Sequence, residues 1–267
     1  LEPNHIISPR RNNVVRFEYY LRRQPHVSSE GFQVAWQDGL QTAWLDVLNS
    51  LGCLRALAVL GQHNDLFDQM NHARGGSMQA PFDLVVELWW TTDAEAVRAL
   101  IGGGLERLAD LVAAQAVWLD ATRSPAWLAM EYPQVNPTPE DLLASAGGVL
   151  KKLQFPLQHR CDLSEAAARQ YWLQSHGPLI RQHAPDSGIA RYVQVHRLDH
   201  PVNANIAAAL GFECPVYLGH AEVWVGPDGG TQDARRNASR AAVEDEAKFI
   251  DFAASTLFTG VETRLIE

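Results

Sequence analysis

Three of the ten histidines, His176, His196 and His220, stand in largely apolar segments with Tyr192 and Glu222, side-chain types that move protons near neutral pH. Strand side chains alternate between two faces, so each strand-like run splits into two sets. In 189–197 the valines Val193 and Val195 form the apolar set expected to face helices, which turns Tyr192, Gln194 and His196 inward. In 217–225, Ala221, Val223 and Val225 take the helix side and His220, Glu222 and Trp224 the inner one. Near the start, Val15, Phe17, Tyr19 and Leu21 leave Arg16, Glu18 and Tyr20 inward, joined by Glu87 and Trp89. Burying so many ionisable groups is costly unless they pair or do chemistry.

If they do chemistry, a neutral His196 or His220 takes a proton acidified by a neighbouring carbonyl or phenol. Glu222, its pKa raised by burial, or His176 then protonates a leaving oxygen, and loss of water is the natural outcome. Tyr192 and Gln194 would hold an enolate-like oxygen, Trp89 and Trp224 would stack on the substrate, and Arg16 and Glu87 would complete its binding surface. If they merely pair, Glu87 and Glu222 satisfy Arg16, Arg55 or Arg191. His176 belongs to a helical stripe with Trp172, Leu179 and His183, where Gly177 and Pro178 loosen the helix beside it; His183 is expected in solvent.

Other chemistries find little support. His196 and His200, four apart, would lie about 13 Å apart along a strand, too far to share one ion, so no metal is expected. The glycine-rich 226–230 lacks the Lys-Ser/Thr of a phosphate loop, no G-x-S-x-G elbow occurs, and Cys53, Cys161 and Cys214 show no C-x-x-C spacing.

These residues need elements to hold them. Apolar periodicity and caps predict strands at 14–21, 52–59, 82–90 and 127–132, with helices at 28–51 and 92–114. The order recurs as strands at 150–159, 189–197, 217–225 and 256–266, with helices at 164–184 and 234–254. Gly52 and Arg55 return as Gly188 and Arg191, 136 positions on (188 − 52), and Glu87 and Trp89 as Glu222 and Trp224, 135 on (222 − 87). The expected fold class is therefore α+β: two tandem ferredoxin-like β-α-β-β-α-β repeats packed sheet to sheet as an intrachain α+β barrel. Residues 1–13 read as a polar arm, 14–132 as a first, degenerate repeat, 133–148 as a Pro-rich linker, and 149–267 as the repeat carrying the site. The long loops at 61–81 and 200–216, with Met70, Met78, Ile206 and Leu210, read as apolar lids or pocket walls.

The stretch Tyr171-Trp172-Leu-Gln-Ser-His176-Gly177-Pro178-Leu179, with Gly188-Ile-Ala-Arg191-Tyr192-Val-Gln194-Val-His196 after it, resembles the EthD-like family of the dimeric α+β barrel superfamily. The first block has Gln41 at the position of His176. The resemblance implies an enzyme for hydrophobic, often aromatic molecules, since relatives include cofactor-free dehydratases, decarboxylases, isomerases and oxygenases and some haem enzymes. The leading expectation is a cofactor-independent lyase of dehydratase type or an isomerase acting on a bulky aromatic molecule. The alternatives are a haem-dependent or cofactor-free oxygenase and a non-catalytic carrier.

Composition bounds the partners. Lys+Arg 22 against Asp+Glu 31 leaves a net charge of −9, unsuited to a nucleic-acid backbone. No run of about 20 apolar residues suits a membrane. Few cysteines suit a reducing cytoplasm. The expected partners are a hydrophobic small molecule and a second copy of the chain, with no cofactor.

Overall fold

The computed structural model describes residues 14–62, 64–136 and 142–267; the expected polar arm and residues 137–141 of the expected linker lie outside them. Alternating side chains build β1 (Val15–Leu21), β2 (Arg55–Gln62), β3 (Leu84–Trp90), β4 (Ala126–Val135), β5 (Lys151–His159), β6 (Ile189–Arg197), β7 (Gly219–Val225), the short β8 (Ile250–Asp251) and β9 (Phe258–Ile266). Eight of them run in the order β7-β6-β4-β1-β3-β2-β9-β5, and β5 pairs back to β7, closing an antiparallel barrel without exposed edges. The first half contributes β4-β1-β3-β2 and the second β6-β7-β5-β9, joined at β4–β6 and β2–β9. β4 continues through Val135, past the boundary at 132 that the Pro-rich composition suggests, because Pro133 pairs with Val193 before a register shift.

Helices cover the barrel outside. In the first half α1 (Ser29–Ala35) and α2 (Gln41–Asn49) are joined by a π-helical turn, Trp36–Leu40. After α3 (Asp65–Ala73), α4 (Asp93–Ala99) and α5 (Leu105–Ala114) bend where Gly103 adopts φ +96, a left-handed conformation that favours glycine. The second half carries α6 (Glu165–Tyr171), a π-turn Trp172–His176, α7 (Gly177–Ser187), α8 (Val202–Leu210) and α9 (Gln232–Glu246). Side-chain oxygens of Ser28, Asn64, Thr92, Ser164 and Thr231 cap helix starts. None of the described helices is long and apolar enough to cross a membrane.

The two long loops hold helices that composition alone left as loops, and each crosses to the other half. Val202, Ile206 and Leu210 of α8 are buried in the first half's outer layer with Trp44, Trp90 and Leu108. Met70 of α3 and Met78 after it pack instead into the second half's layer, with Phe155, Trp172 and Ile180.

Candidate functional site

The barrel interior holds an ion-pair network. Arg16 meets the Glu222 carboxylate with both terminal nitrogens at 2.9 Å, and Lys152 lies 3.0 Å from each of Glu87, Glu222 and Glu262. Arg16 also touches Glu18 at 2.5 Å, and Gln154 donates to Glu87 at 2.6 Å while accepting from Tyr20 at 2.8 Å. Arg16 and Lys152 occupy corresponding places in the two halves, as do Glu87 and Glu222, so each half's cation grips the other half's carboxylate. All are buried.

With more carboxylates than cations, protons make up the difference. Burial, opposed by Arg16, holds the Glu18 carboxyl well above its usual range, and burial with the nearby Glu222 pushes Glu87 up to about 8. Burial also acts on Glu222, but Arg16 and Lys152 overcome it and hold this carboxyl well below the usual range, the reverse of the sequence expectation. Burial lowers His220 to about 4, although Glu222 lies 3.4 Å from its Nε2. Trp89 is capped by the Arg16 and Arg55 guanidinium groups at 4.3 and 4.8 Å, and Trp224 by Lys152 and Arg191 at 4.7 and 4.8 Å, so neither ring offers a face to a substrate. Glu18, Glu87 and His220 bring three ligand atoms within 4.8 Å of one another, the one set among the described residues with metal-like spacing. Both acids of this set are held protonated by burial and already contact Arg16 and Lys152, so a metal ion would have to displace their protons and these cations.

On β6 the faces are opposite to expectation. Val193 and Val195 point into the barrel among Trp127, Phe258 and Tyr217, while Tyr192, Gln194 and His196 face the helices. Both sets find partners, which is why alternation alone misassigned them. Gln194 donates through Nε2 to the Trp172 carbonyl at 2.8 Å and accepts through Oε1 from His196 Nε2 at 3.1 Å, and His196 stacks on Trp172 at 4.2 Å. Burial lowers His196 to about 3, so it is an uncharged packing residue beneath the π-turn. A Cβ on Gly177 would meet Gln134 Oε1 at 2.6 Å and Gln194 Nε2 at 3.0 Å, so a larger residue there would push these two amide groups aside.

The open space lies on this helix side. A cavity of about 200 Å³ separates the π-turn Trp172–His176, α7 and α9 from the outer faces of β5, β6 and β7, lined by Trp172, His176, Ile180, Tyr192, Ala221 and Val225 among others. His183, expected in solvent, also lines it. The π-turns align at an offset of 136 (172 − 36), which puts Leu40 rather than the expected Gln41 at the place of His176, and the first half is solid at the matching places: Trp44 lies 136 before Ile180 (180 − 44) and Trp90 lies 135 before Val225 (225 − 90), both tryptophans buried. Smaller residues at equivalent positions open the second layer.

One titratable pair belongs to the cavity wall. His176 Nδ1 lies 2.9 Å from Asp245 Oδ2 on α9, and Asp245 Oδ1 accepts from Tyr171 at 2.7 Å and Lys248 at 2.8 Å. Asp245 is held well below the carboxylate range, first by the His176 hydrogen bond and then by Lys248 and Tyr171 against partial burial. An ionised carboxylate only accepts, so the Nδ1 carries the proton and Nε2 is the basic nitrogen left to the cavity. The π-turn sets His176 at the start of α7. Asp245 has no signal in strand alternation; its i, i+3 pairing with Lys248 near a helix end is the nearest one. At the rim Arg74, next to α3, pairs bidentately with Glu246 at 2.8 and 3.1 Å, which leaves the cavity with no net charge of its own there.

Residues 160–253 match the EthD domain family, wholly within the second half and around this cavity. Among solved structures, a protein from Fusobacterium nucleatum subsp. nucleatum assigned as a monooxygenase shares the fold at TM-score 0.51 and 6% identity, over 94% of each chain. A Lactobacillus acidophilus protein assigned likewise gives TM-score 0.42 at 9% identity, covering 94% of this chain and 95% of its own. A mutant chlorite dismutase from Candidatus Nitrospira defluvii gives 0.41 at 12%, covering 92% and 91%. No curated protein sequence matches the chain.

Proposed function

We propose that the protein is a cofactor-free oxygenase that deprotonates a small, apolar, weakly acidic molecule such as a phenol or an enol at His176. The observation that carries this reading is the His176–Asp245 pair on the wall of an otherwise apolar cavity. Asp245 fixes the Nδ1–H tautomer and stabilises the imidazolium that forms when Nε2 takes the proton. The resulting substrate anion, kept from water, is the reductant for dioxygen: a ring C–H bond and the O–O bond break, one oxygen atom bonds to that carbon and the other leaves as water, so that a phenol and O2 give a quinone and H2O.

A dehydratase fits this cavity less well, because it needs an acid for the leaving oxygen. Arg74 and Glu246 are tied to each other, and the Tyr192 hydroxyl, its pKa raised by burial, is held by Trp172 and Gln194. The name carried by the Fusobacterium structure favours an oxygenase. A second reading rests on the same histidine. His176, with its Nδ1–H held by Asp245, would hold haem iron through Nε2, and haem bound there would supply redox chemistry. The described cavity is smaller than a macrocycle, so α3 and Met70 would have to move for it to enter.

We further infer that the halves are tandem ferredoxin-like units of which only the second keeps a cavity. The matching strand orders, the matching π-turns and the placement of the EthD match support this.

The deciding experiment measures oxygen uptake over a panel of small phenols and enols with wild-type and His176→Gln protein. Turnover is expected to fall by ~10²-fold or more in the variant, without a Soret band in the active wild type. Equal rates in both proteins sink the assignment, and a Soret band that tracks activity transfers it to haem.

A further inference from the structure

A second hollow lies at one mouth of the barrel, remote from His176, where β1 and β5 end and β3, β4 and β7 begin. Its room is about 410 Å³, and its wall includes Arg22, Arg123, Phe82, Tyr217, Cys161 and Cys214. Aromatic rings close its floor: Phe82 and Tyr217 meet at 6.0 Å, and beneath them Tyr20 stacks on Trp127 at 5.0 Å. The hollow is thus sealed from the charged interior.

Arg22 is the unusual resident. Its guanidinium lies 4.0 Å over the Phe82 ring and is pinned by hydrogen bonds of 3.0 Å to the Pro81 and Ala80 carbonyls. These bonds take two of five N–H groups and no charge. Among the described residues no carboxylate pairs with Arg22, and none lines the hollow. Arg22 is half-buried, and burial lowers its pKa, opposed by Tyr217 and the Asp83 carboxylate and aided by Arg123. Arg123 on the same wall is already paired with Asp120 at 2.6 Å, so in a chain of net charge −9 it is Arg22 that makes the hollow locally positive.

We propose that this hollow binds a small aromatic carboxylate, whose anion docks on Arg22, with the Asp120-paired Arg123 as a weaker secondary contact. The ring of the guest lies against Tyr217, Pro125 and Pro215. The site does not depend on the reaction at His176 and serves as a separate product, effector or second-substrate position.

Calorimetry with benzoate and with benzamide, its neutral counterpart, tests this on the whole protein. Benzoate is expected to bind, and benzamide roughly tenfold or more weakly. Arg22→Gln should weaken benzoate by about tenfold and Arg123→Gln by a smaller but measurable factor. Bound benzoate should also slow alkylation of Cys161 and Cys214 and leave Cys53 unaffected. Equal binding of both probes, no binding of benzoate, or unchanged affinity in the two arginine variants overturns the proposal. If Arg22→Gln does not fold, Arg123→Gln with the cysteine protection decides. Ile180→Trp, which fills the other cavity, should leave benzoate binding intact; its loss there would assign the benzoate to the His176 cavity and overturn the proposal.

Discussion

His176, His196 and His220 are the same side chain in three environments, and the neighbours decide what each can do. His196 lies flat on Trp172 and His220 sits among Tyr20, Trp127 and Glu222, so both are held uncharged by burial. Only His176 joins a fixed carboxylate to an open space. The buried groups also set how stability follows pH. A carboxyl raised in the folded state, as Glu87 is to about 8 from 4.5, contributes stability that is fully present below 4.5 and is lost as pH rises through 8. Glu18 acts in the same direction. His220 and His196, lowered to about 4 and about 3 from 6.5, contribute stability present above 6.5 and lost as pH falls through those lower values. Between pH 6.5 and 8 the carboxyls act without the histidines. The thermal midpoint should therefore fall across that window, by a stability slope on the order of 1 kcal/mol per pH unit for each group. Calorimetric scans of Glu87→Gln should show a shallower fall; a slope parallel to wild type would refute the protonated Glu87. At this scale the sequence showed which strands of the first half and which face of β7 turn charges inward. Pairing across the barrel was not legible, because Lys152, Gln154 and Glu262 come from strands whose partners are set only by closure.

At the scale of elements, two π-turns and two exchanged helices explain what periodicity could and could not show. A regular helix over 164–184 was expected, and the observed π-turn within it leaves the Trp172 carbonyl to take a hydrogen bond from Gln194 while shifting His176 toward α9. β6 was misread because its two faces are both mixed: valines are as well placed beside Trp127 as against a helix. α3 and α8 escaped notice because each is only nine residues long, and a cap such as Asn64 on α3 looks the same in a polar loop. The exchange of bulky for small residues in the second layer makes its own prediction. Ile180→Trp, which restores the side chain present at the matching place in the first half, should abolish ligand binding in the His176 cavity. Thermal stability should hold or change by no more than about 3 kcal/mol of overpacking strain. Retained activity in a folded variant would separate the reaction from that cavity.

The whole molecule is one closed object made from two halves that cannot easily part. Arg16 reaches Glu222, Lys152 reaches Glu87, β4 pairs with β6, and β2 pairs with β9. Residues 14–136 alone would face Glu18 and Glu87 to water and leave two sheet edges unpaired; 142–267 alone would do the same with Lys152 and Glu222. Neither piece is expected to give a folded monomer by circular dichroism and size exclusion, whereas the two expressed together should assemble. The intact chain should unfold in a single denaturant transition. Two independent transitions would mean the halves are separate folding units. The barrel and its element order were legible from the recurrence of Gly52/Arg55 and Glu87/Trp89, while the location of the open space was not, since it depends on volumes summed over several strands and helices.

The imbalance between a solid outer layer over one half and a hollow one over the other has a mechanical side. Hydrostatic compression favours whatever state occupies less space, so the second layer should yield or admit water first while the packing around Trp44 stays unmoved. A squeezed sample would thus show spectral change beginning at Trp172, and the stiff half would act as the anvil on which the softer one is worked.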